Sequence, residues 1–290
     1  MSTLQNYTTS TRPSHSVGLC IFNTDTKAIE VSDGTSWSIY DYDSISSAVT
    51  AVTNNLSAVF DGATDKLDCG NSSVFGPTGG LTLSAWVKQA NSSSTHTLIQ
   101  KQNLSTNGYA LQLASGSLHF RGTTTGGSAI STFGSGFTST TDWYHLCVTH
   151  DGSTTLKGYV NGVLQATHTT SSLSTNSISV KLGWHSNHTP SYLTGKLDEC
   201  SIFSSGLDAS NVAQIYNSGN PIDLTVDQGN YNTSSDLIGY WRMGDGASDT
   251  SSGGGSPASG NIIGTISNLA GAYGNASVTG GSPEFINDAP

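Results

Sequence analysis

Charge is scarce in this chain. Only 10% of its 290 residues are charged, and Asp plus Glu outnumber Lys plus Arg by 20 to 10. A formal net charge of −10 repels phosphate backbones and anionic lipid, so nucleic acid is not an expected partner. Long apolar runs are also missing, and nothing approaches the roughly 20 residues that cross a bilayer, so no membrane insertion is expected. Residues 1–7 hold neither a basic segment nor an apolar run, which predicts no signal peptide. The four cysteines, Cys20, Cys69, Cys147 and Cys200, lack the spacing of a zinc site. Cys147 and Cys200 fall inside strand-like runs and read as buried free thiols rather than a bridge.

Catalytic patterns are absent as well. A glycosidase needs two carboxyl groups across the scissile bond, yet the glutamates are only Glu30, Glu199 and Glu284, with no Glu-x-Asp-x-x-Glu spacing. No Gly-x-Ser-x-Gly elbow, P-loop or His-Glu-x-x-His occurs. His145 and His150 fall on opposite faces of one strand, which does not make an acid–base pair. The expectation is a protein that is not an enzyme.

Ser, Thr, Asn and Gly dominate instead, with 34 glycines and 34% hydrophobic residues. Such a composition suits β-strands joined by many turns. In residues 81–87 (LTLSAWV), Leu81, Leu83, Ala85 and Val87 alternate with Thr82, Ser84 and Trp86. In residues 143–152 (WYHLCVTHDG), Tyr144, Leu146 and Val148 share one face, and His145, Cys147 and Thr149 share the other. Asn161-Gly162, between Tyr159-Val160 and Val163-Leu164, predicts a type I′ hairpin turn, and Ser115-Gly116 predicts another hairpin. One helix is expected, capped by Asp208, with Val212, Ile215 and Tyr216 on one face and Gly219 as its terminator.

Together with residues 195–203 (GKLDECSIF), these fragments resemble the laminin-G-like, concanavalin A-like jelly roll. That resemblance implies an all-β antiparallel jelly-roll sandwich, usually a binder of glycans or proteins. Three regions follow. Residues 1–55 form an N-terminal arm with a β-hairpin, residues 56–219 the jelly roll, and residues 220–290 a Gly/Ser-rich C-terminal extension that packs on the jelly roll or on a neighbour. Residues 22–37 (FNTDTKAIEVSDGTSW) resemble a short hairpin of bacteriophage tail, fibre and head-surface proteins. Residues 240–246 (YWRMGDG) are similar to tails that accompany this domain in marine phage structural proteins.

Those resemblances imply a virion location: a capsid decoration protein or a knob- or fibre-type appendage, expected to be a homo-oligomer by analogy with symmetric lattices. Its partners would be other virion structural proteins and host-surface or environmental glycans. A tail-fibre receptor-binding protein, a bacterial lectin or adhesin and a degenerate glycoside hydrolase stay open as alternatives. In the hairpin, Phe22, Ile29, Val31 and Trp37 are the candidate virion anchor, although the hairpin could instead pack on the main domain. For glycan contact the candidates are Trp184, His185, Asn187, His188 and Tyr192, an aromatic, imidazole and amide cluster after a strand. The alternative is that Trp184 fills the edge of the core and the histidines are solvated. Asp61, Asp65, Asp68 and Asp198 are candidate calcium ligands, although Asp-Gly and Asp-Lys steps are also ordinary turn chemistry.

Overall fold

The computed structural model describes residues 6–290 apart from 18, 26–27, 41–51, 77–78, 104–105, 125–126, 175, 186–190, 253–258, 263–264 and 272–273. The chain divides into two compact units, residues 1–50 with 228–230, and residues 51–227 with 231–290.

The first unit holds a sheet in the order β1 (Asn6–Tyr7), β2 (Cys20–Asn23), β3 (Ala28–Ser32) and β4 (Trp37–Tyr40). Strands β2 and β3 are the arms of the predicted hairpin, and β1 joins β2 in parallel. The Asp33-Gly34 turn is present, with Asp33 Oδ1 accepting from the backbone N–H of Thr35 at 2.8 Å and Ser36 at 2.7 Å. Phe22 lies opposite Ile29, and Val31 opposite Cys20, so these apolar side chains share one face and are half-buried. Trp37 lies opposite Ser32, on the other face. The four candidate anchor residues therefore do not form one surface. The Trp37 side of the sheet carries a polar centre instead: Glu30 is buried and accepts from Arg12 at 2.6 Å and from Asn23 at 2.9 Å.

The second unit is a sandwich of two antiparallel sheets. In spatial order, the smaller sheet runs β11 (Gly127–Phe133), β10 (Ser117–Thr124), β9 (Thr106–Ala114), β8 (Thr95–Asn103), β15 (Lys181–Leu182), β6 (Lys66–Asp68), β20 (Ala276–Gly280) and β19 (Thr265–Ile266). The larger runs β14 (Val163–Thr169), β13 (Thr155–Val160), β12 (Tyr144–His150), β7 (Leu81–Gln89), β16 (Thr194–Phe203), β5 (Ser57–Asp61), β21 (Glu284–Ile286) and β18 (Gly260–Asn261). Strand β17 (Leu237–Trp241) also pairs with β16.

Leu67, Leu98, Leu111 and Leu118 of the smaller sheet meet Leu83, Val87, Leu146, Leu197 and Ile202 of the larger in one buried core. Alternation puts these residues inside and their neighbours outside. The turns follow the sequence: Ser115 and Gly116, like Asn161 and Gly162, have positive φ at both positions, as a type I′ turn requires.

The outer face of β7 and β12 is not solvated. Thr82, Ser84 and Trp86 are buried. Helix α1 (Ala209–Tyr216) lays Tyr216 against Trp86, with ring centroids 5.6 Å apart, and against His145 at 5.9 Å. Asp208 caps the helix by accepting from Asn211 N–H at 2.8 Å. The helix ends at Asn217, in the left-handed region, two residues before the predicted Gly219. Asn tolerates that conformation by local hydrogen bonding, and Gly219 closes the following 3-10 turn. Cys147 and Cys200 are buried free thiols.

The last part of the chain does more than cover the sandwich. Strands β20 and β21 extend both sheets, and Phe285 and Ile266 enter the common core. Trp241 is fully buried and donates its Nε1–H to Gly274 O at 2.8 Å. Phe285→Ala should therefore cost about 3–5 kcal/mol, as a large core truncation does. A urea unfolding midpoint unchanged by this substitution would show that β21 is dispensable.

Candidate functional site

Gly183 ends β15 with φ +78, and a Cβ there would lie 2.2 Å from the Phe60 ring. The glycine lets the chain turn sharply outward. Leu193 N–H donates to Gly183 O at 2.8 Å, closing the base of the loop. Trp184 and Tyr192 flank that base and face each other, with centroids 6.3 Å apart and ring planes 9° from parallel. Both are half-buried. Trp184 is held by its Nε1–H, which donates to Leu67 O at 3.2 Å.

Two ammonium groups sit over this aromatic pair. Lys66 Nζ lies 5.1 Å from the Trp184 centroid and 5.6 Å from that of Tyr192. Lys181 Nζ lies 4.8 Å from the Trp184 centroid and pairs with Asp68 at 2.9 Å. Cation–π attraction holds the lysines beside the rings. Of the predicted glycan group, Trp184 and Tyr192 come together. His185 is buried, and Asn187 and His188 lie outside the described residues. Sequence reasoning missed Lys66 and Lys181; Lys66 reaches Trp184 only through the pairing of β6 with β15.

The four candidate calcium ligands do not converge. Asp61 Oδ1 accepts from the N–H groups of Ala63, Thr64 and Asp65, at 2.8, 2.7 and 3.1 Å. Burial opposes ionisation of this carboxyl, but these bonds and that from the Thr64 hydroxyl hold it well below the usual range. Asp65 accepts from Asp61 N–H at 2.8 Å and Ser282 N–H at 2.7 Å. Asp68 accepts from Gly70 N–H at 2.8 Å and from Lys181. Asp68 lies in the smaller sheet, whereas Asp61 and Asp198 lie in the larger. Among the described residues, no group of three or more His, Cys, Asp or Glu is arranged to hold a metal ion. These carboxylates are turn and strand fasteners, and the set does not fit calcium. Millimolar calcium should leave the melting temperature unchanged, and a rise on titration would contradict this assignment.

Pairs with catalytic chemistry are present but enclosed. Ser84 Oγ lies 2.7 Å from His145 Nε2, beneath Trp86 and Tyr216. Burial lowers the His145 pKa to about 3 and keeps the ring neutral. Asp198 and Glu199 sit at a bulge in β16, where Glu199 has φ +45, and both are buried. Glu199 accepts from Arg242 Nε at 2.9 Å and from the Tyr240 hydroxyl. Asp198 accepts from Asn54 Nδ2 at 3.0 Å and Glu199 N–H at 2.8 Å.

An open cleft of roughly 510 Å³ adjoins Asn54, Asn55, Leu56, Asn287, Asp288 and Ala289. Its single carboxyl, Asp288, is drawn towards Lys88, Lys196 and Trp143. Burial opposes its ionisation, and those three donors outweigh it, so its pKa falls. One carboxylate does not make the two-carboxyl arrangement of a glycosidase.

Burial, then the neighbouring Glu199 charge, raises the Asp198 pKa well above the ordinary carboxylate value. The folded chain thus holds a proton that the unfolded chain releases above about pH 3.9. This stabilising contribution is complete below the unfolded pKa and is lost as pH rises towards the folded one. Asp198→Asn should therefore lose less stability between about pH 5 and about pH 8 than the unaltered protein. Urea unfolding at both pH values checks this, and identical losses in the two proteins would refute it.

The family model described as the concanavalin A-like lectin/glucanases superfamily matches residues 61–213, just over half of the chain. No curated protein matches the sequence. Among solved structures, a candidate carbohydrate-binding protein from Bacteroides ovatus aligns with a TM-score of 0.59 at 16% identity, over 81% of this chain and 60% of its own. The chain thus spans about 60% of that protein's length. The binding domain of Paraclostridial mosquitocidal protein 1 aligns with a TM-score of 0.44 at 18% identity, over 62% of this chain and 49% of its own. The heptameric SAP-like pentraxin of Limulus polyphemus aligns with a TM-score of 0.45 at 15% identity, over 58% of this chain and 84% of its own.

Proposed function

The chain belongs to the concanavalin A-like lectin/glucanase superfamily, and from that premise we infer that it is a non-enzymatic glycan-binding module on the surface of a bacteriophage virion. The observation that carries the glycan reading is the Trp184–Tyr192 pair, presented at the base of a loop with polar and charged groups beside it. Half-buried aromatic rings offer apolar faces to the C–H surface of a sugar, and neighbouring polar groups bind its hydroxyls. The enclosure of Ser84–His145 and of Asp198–Glu199 supports binding without hydrolysis.

The virion role rests on the phage-like hairpin and tail sequences. In this reading the N-terminal unit attaches to a neighbouring virion protein through the half-buried face of Phe22, Ile29 and Val31. The sandwich then faces outward as a capsid decoration or a knob- or fibre-type appendage, in a symmetric homo-oligomer.

Glycan-array binding with the unaltered protein, Trp184→Ala and Tyr192→Ala tests the recognition half. Each substitution should weaken binding at least about tenfold, as loss of an aromatic anchor does. Uniform absence of binding would refute it. Mass spectrometry of purified phage particles tests the other half, and absence of this polypeptide from them would refute that.

A further inference from the structure

Among the described residues, one side of the sandwich is bounded by two strands that have a neighbour on one edge only. β14 ends the larger sheet and β11 ends the smaller. The two strands are close, since the His168 ring lies 4.8 Å from the Phe133 ring and its Nε2 lies 2.9 Å from Thr132 O. The side they form carries exposed apolar side chains, with Ile130, Val163 and Leu164 exposed at 53, 62 and 47%. No residue of β14 is buried.

That side is also without charge. No Asp, Glu, Lys or Arg occurs between Arg121 and Asp142, the segment that holds β11. None occurs between Lys157 and Lys181, the segment that holds β14. Exposed edge strands are ordinarily protected by Lys, by Pro or by a bulge. β14 has neither Lys nor Pro. Its bulge sits near the turn, where the register shifts between Gly158 and Tyr159, and leaves residues 166–169 regular.

The backbone of that regular part is oriented by the ladder. Thr170 N–H donates to Thr154 O at 2.8 Å. Hydrogen-bonded and non-bonded pairs alternate along antiparallel strands. Thr169 opposite Thr155 and Thr167 opposite Lys157 are therefore non-bonded pairs, and their N–H and C=O groups point away from β13. A second copy related by a two-fold axis through His168 would set Thr167 of each copy opposite Thr169 of the other. Each of those outward backbone groups then gains a partner. With the axis perpendicular to the sheet, the β11 edge is turned towards its counterpart as well, which adds Ile130 to the seam.

We propose that β14 pairs with β14 of a second copy of this chain, making a two-fold dimer with one continuous sheet. The charge pattern selects this occupant. A two-fold contact sets a patch against itself, so any charge in it meets its like. A charge-free side lets two chains of net charge −10 approach without that cost. The seven residues of β14, at about 3.4 Å each, make a seam about 24 Å long, and sheets about 10 Å apart set its depth. The seam therefore buries less than the roughly 1,200 Å² of a standard interface, and the dimer dissociates on dilution. This assignment rests on the homo-oligomer of the proposed function and gives it an interface. It does not depend on glycan recognition.

The test is sedimentation velocity of the full chain from about 1 to about 200 µM, the range in which a small interface comes apart. Thr167→Pro and Thr167→Glu are compared with the unaltered protein. Proline is tolerated on an edge strand where the lost N–H faces outward, so it removes no bond to β13 but blocks the seam. The glutamate faces Lys157 within its own sheet and brings negative charge to the seam. Melting temperatures at the lowest concentration report folding. The expected result is a monomer–dimer equilibrium in the unaltered protein, with the dissociation constant raised at least about tenfold in each variant and the melting temperature kept.

A dimer untouched in both variants would overturn the proposed seam. A trimer or larger closed assembly would overturn the two-fold dimer and leave the homo-oligomer standing. A monomer at every concentration would overturn both, while glycan recognition and presence in the particle keep their own tests.

Discussion

Strand β16 is the pairing on which the sandwich depends. One edge of it runs along β7. Its other edge is shared: residues 194–197 pair with β5, and residues 200–203 with β17. The bulge at Asp198–Glu199 lies between those two partners. A bulge bends a strand and increases its local twist, and here it coincides with the change of neighbour. Two carboxyl groups are buried at this change, and the surroundings have to satisfy them. Asn54 bonds Asp198, while Arg242 and Tyr240 bond Glu199. Residues far apart in sequence are thereby fastened to the middle of one strand.

The same arrangement separates polar chemistry from recognition. In a solvated cleft, Asp198 and Glu199, or Ser84 and His145, would be candidates for acid–base or nucleophilic work. Within the larger sheet they serve as satisfied or neutral packing groups, enclosed by Tyr216 at Ser84–His145 and held by Tyr240 and Arg242 at Glu199. The smaller sheet keeps half-exposed side chains at Lys66, Asp68, His119 and Arg121, while residues 96–102 of β8 and 108–114 of β9 are buried on both faces.

Much of the fold was legible because it is local. Alternation in residues 81–87, the Asn161-Gly162 turn and the Asp208 cap depend on neighbours within a few residues, and each appears in the structure. The single apolar face expected for β7 was too simple, since Trp86 and Ser84 are buried as well. That burial comes from α1, more than 120 residues later in the chain, and alternation alone does not report it. The site was legible only in its aromatic half. Trp184 and Tyr192 lie eight residues apart and could be grouped by eye. Lys66 reaches them only through the pairing of β6 with β15, and that register is set by the whole sheet. Asp68 drew attention as one of a cluster of acids, yet its partner is Lys181. Proximity in sequence suggested a metal site where the hydrogen-bond donors of the turns had already claimed the oxygens.

The placement of β20 and β21 bears on biosynthesis. Residues 276–280 pair with β6, and residues 284–286 pair with β5, so these strands wait for partners made much later. Contacts of such long sequence separation form slowly. Until residues 276–286 have been made, β5 and β6 each present an uncovered edge, the kind of edge that recruits foreign strands. The nascent protein is therefore exposed to aggregation at these edges for as long as that segment is missing.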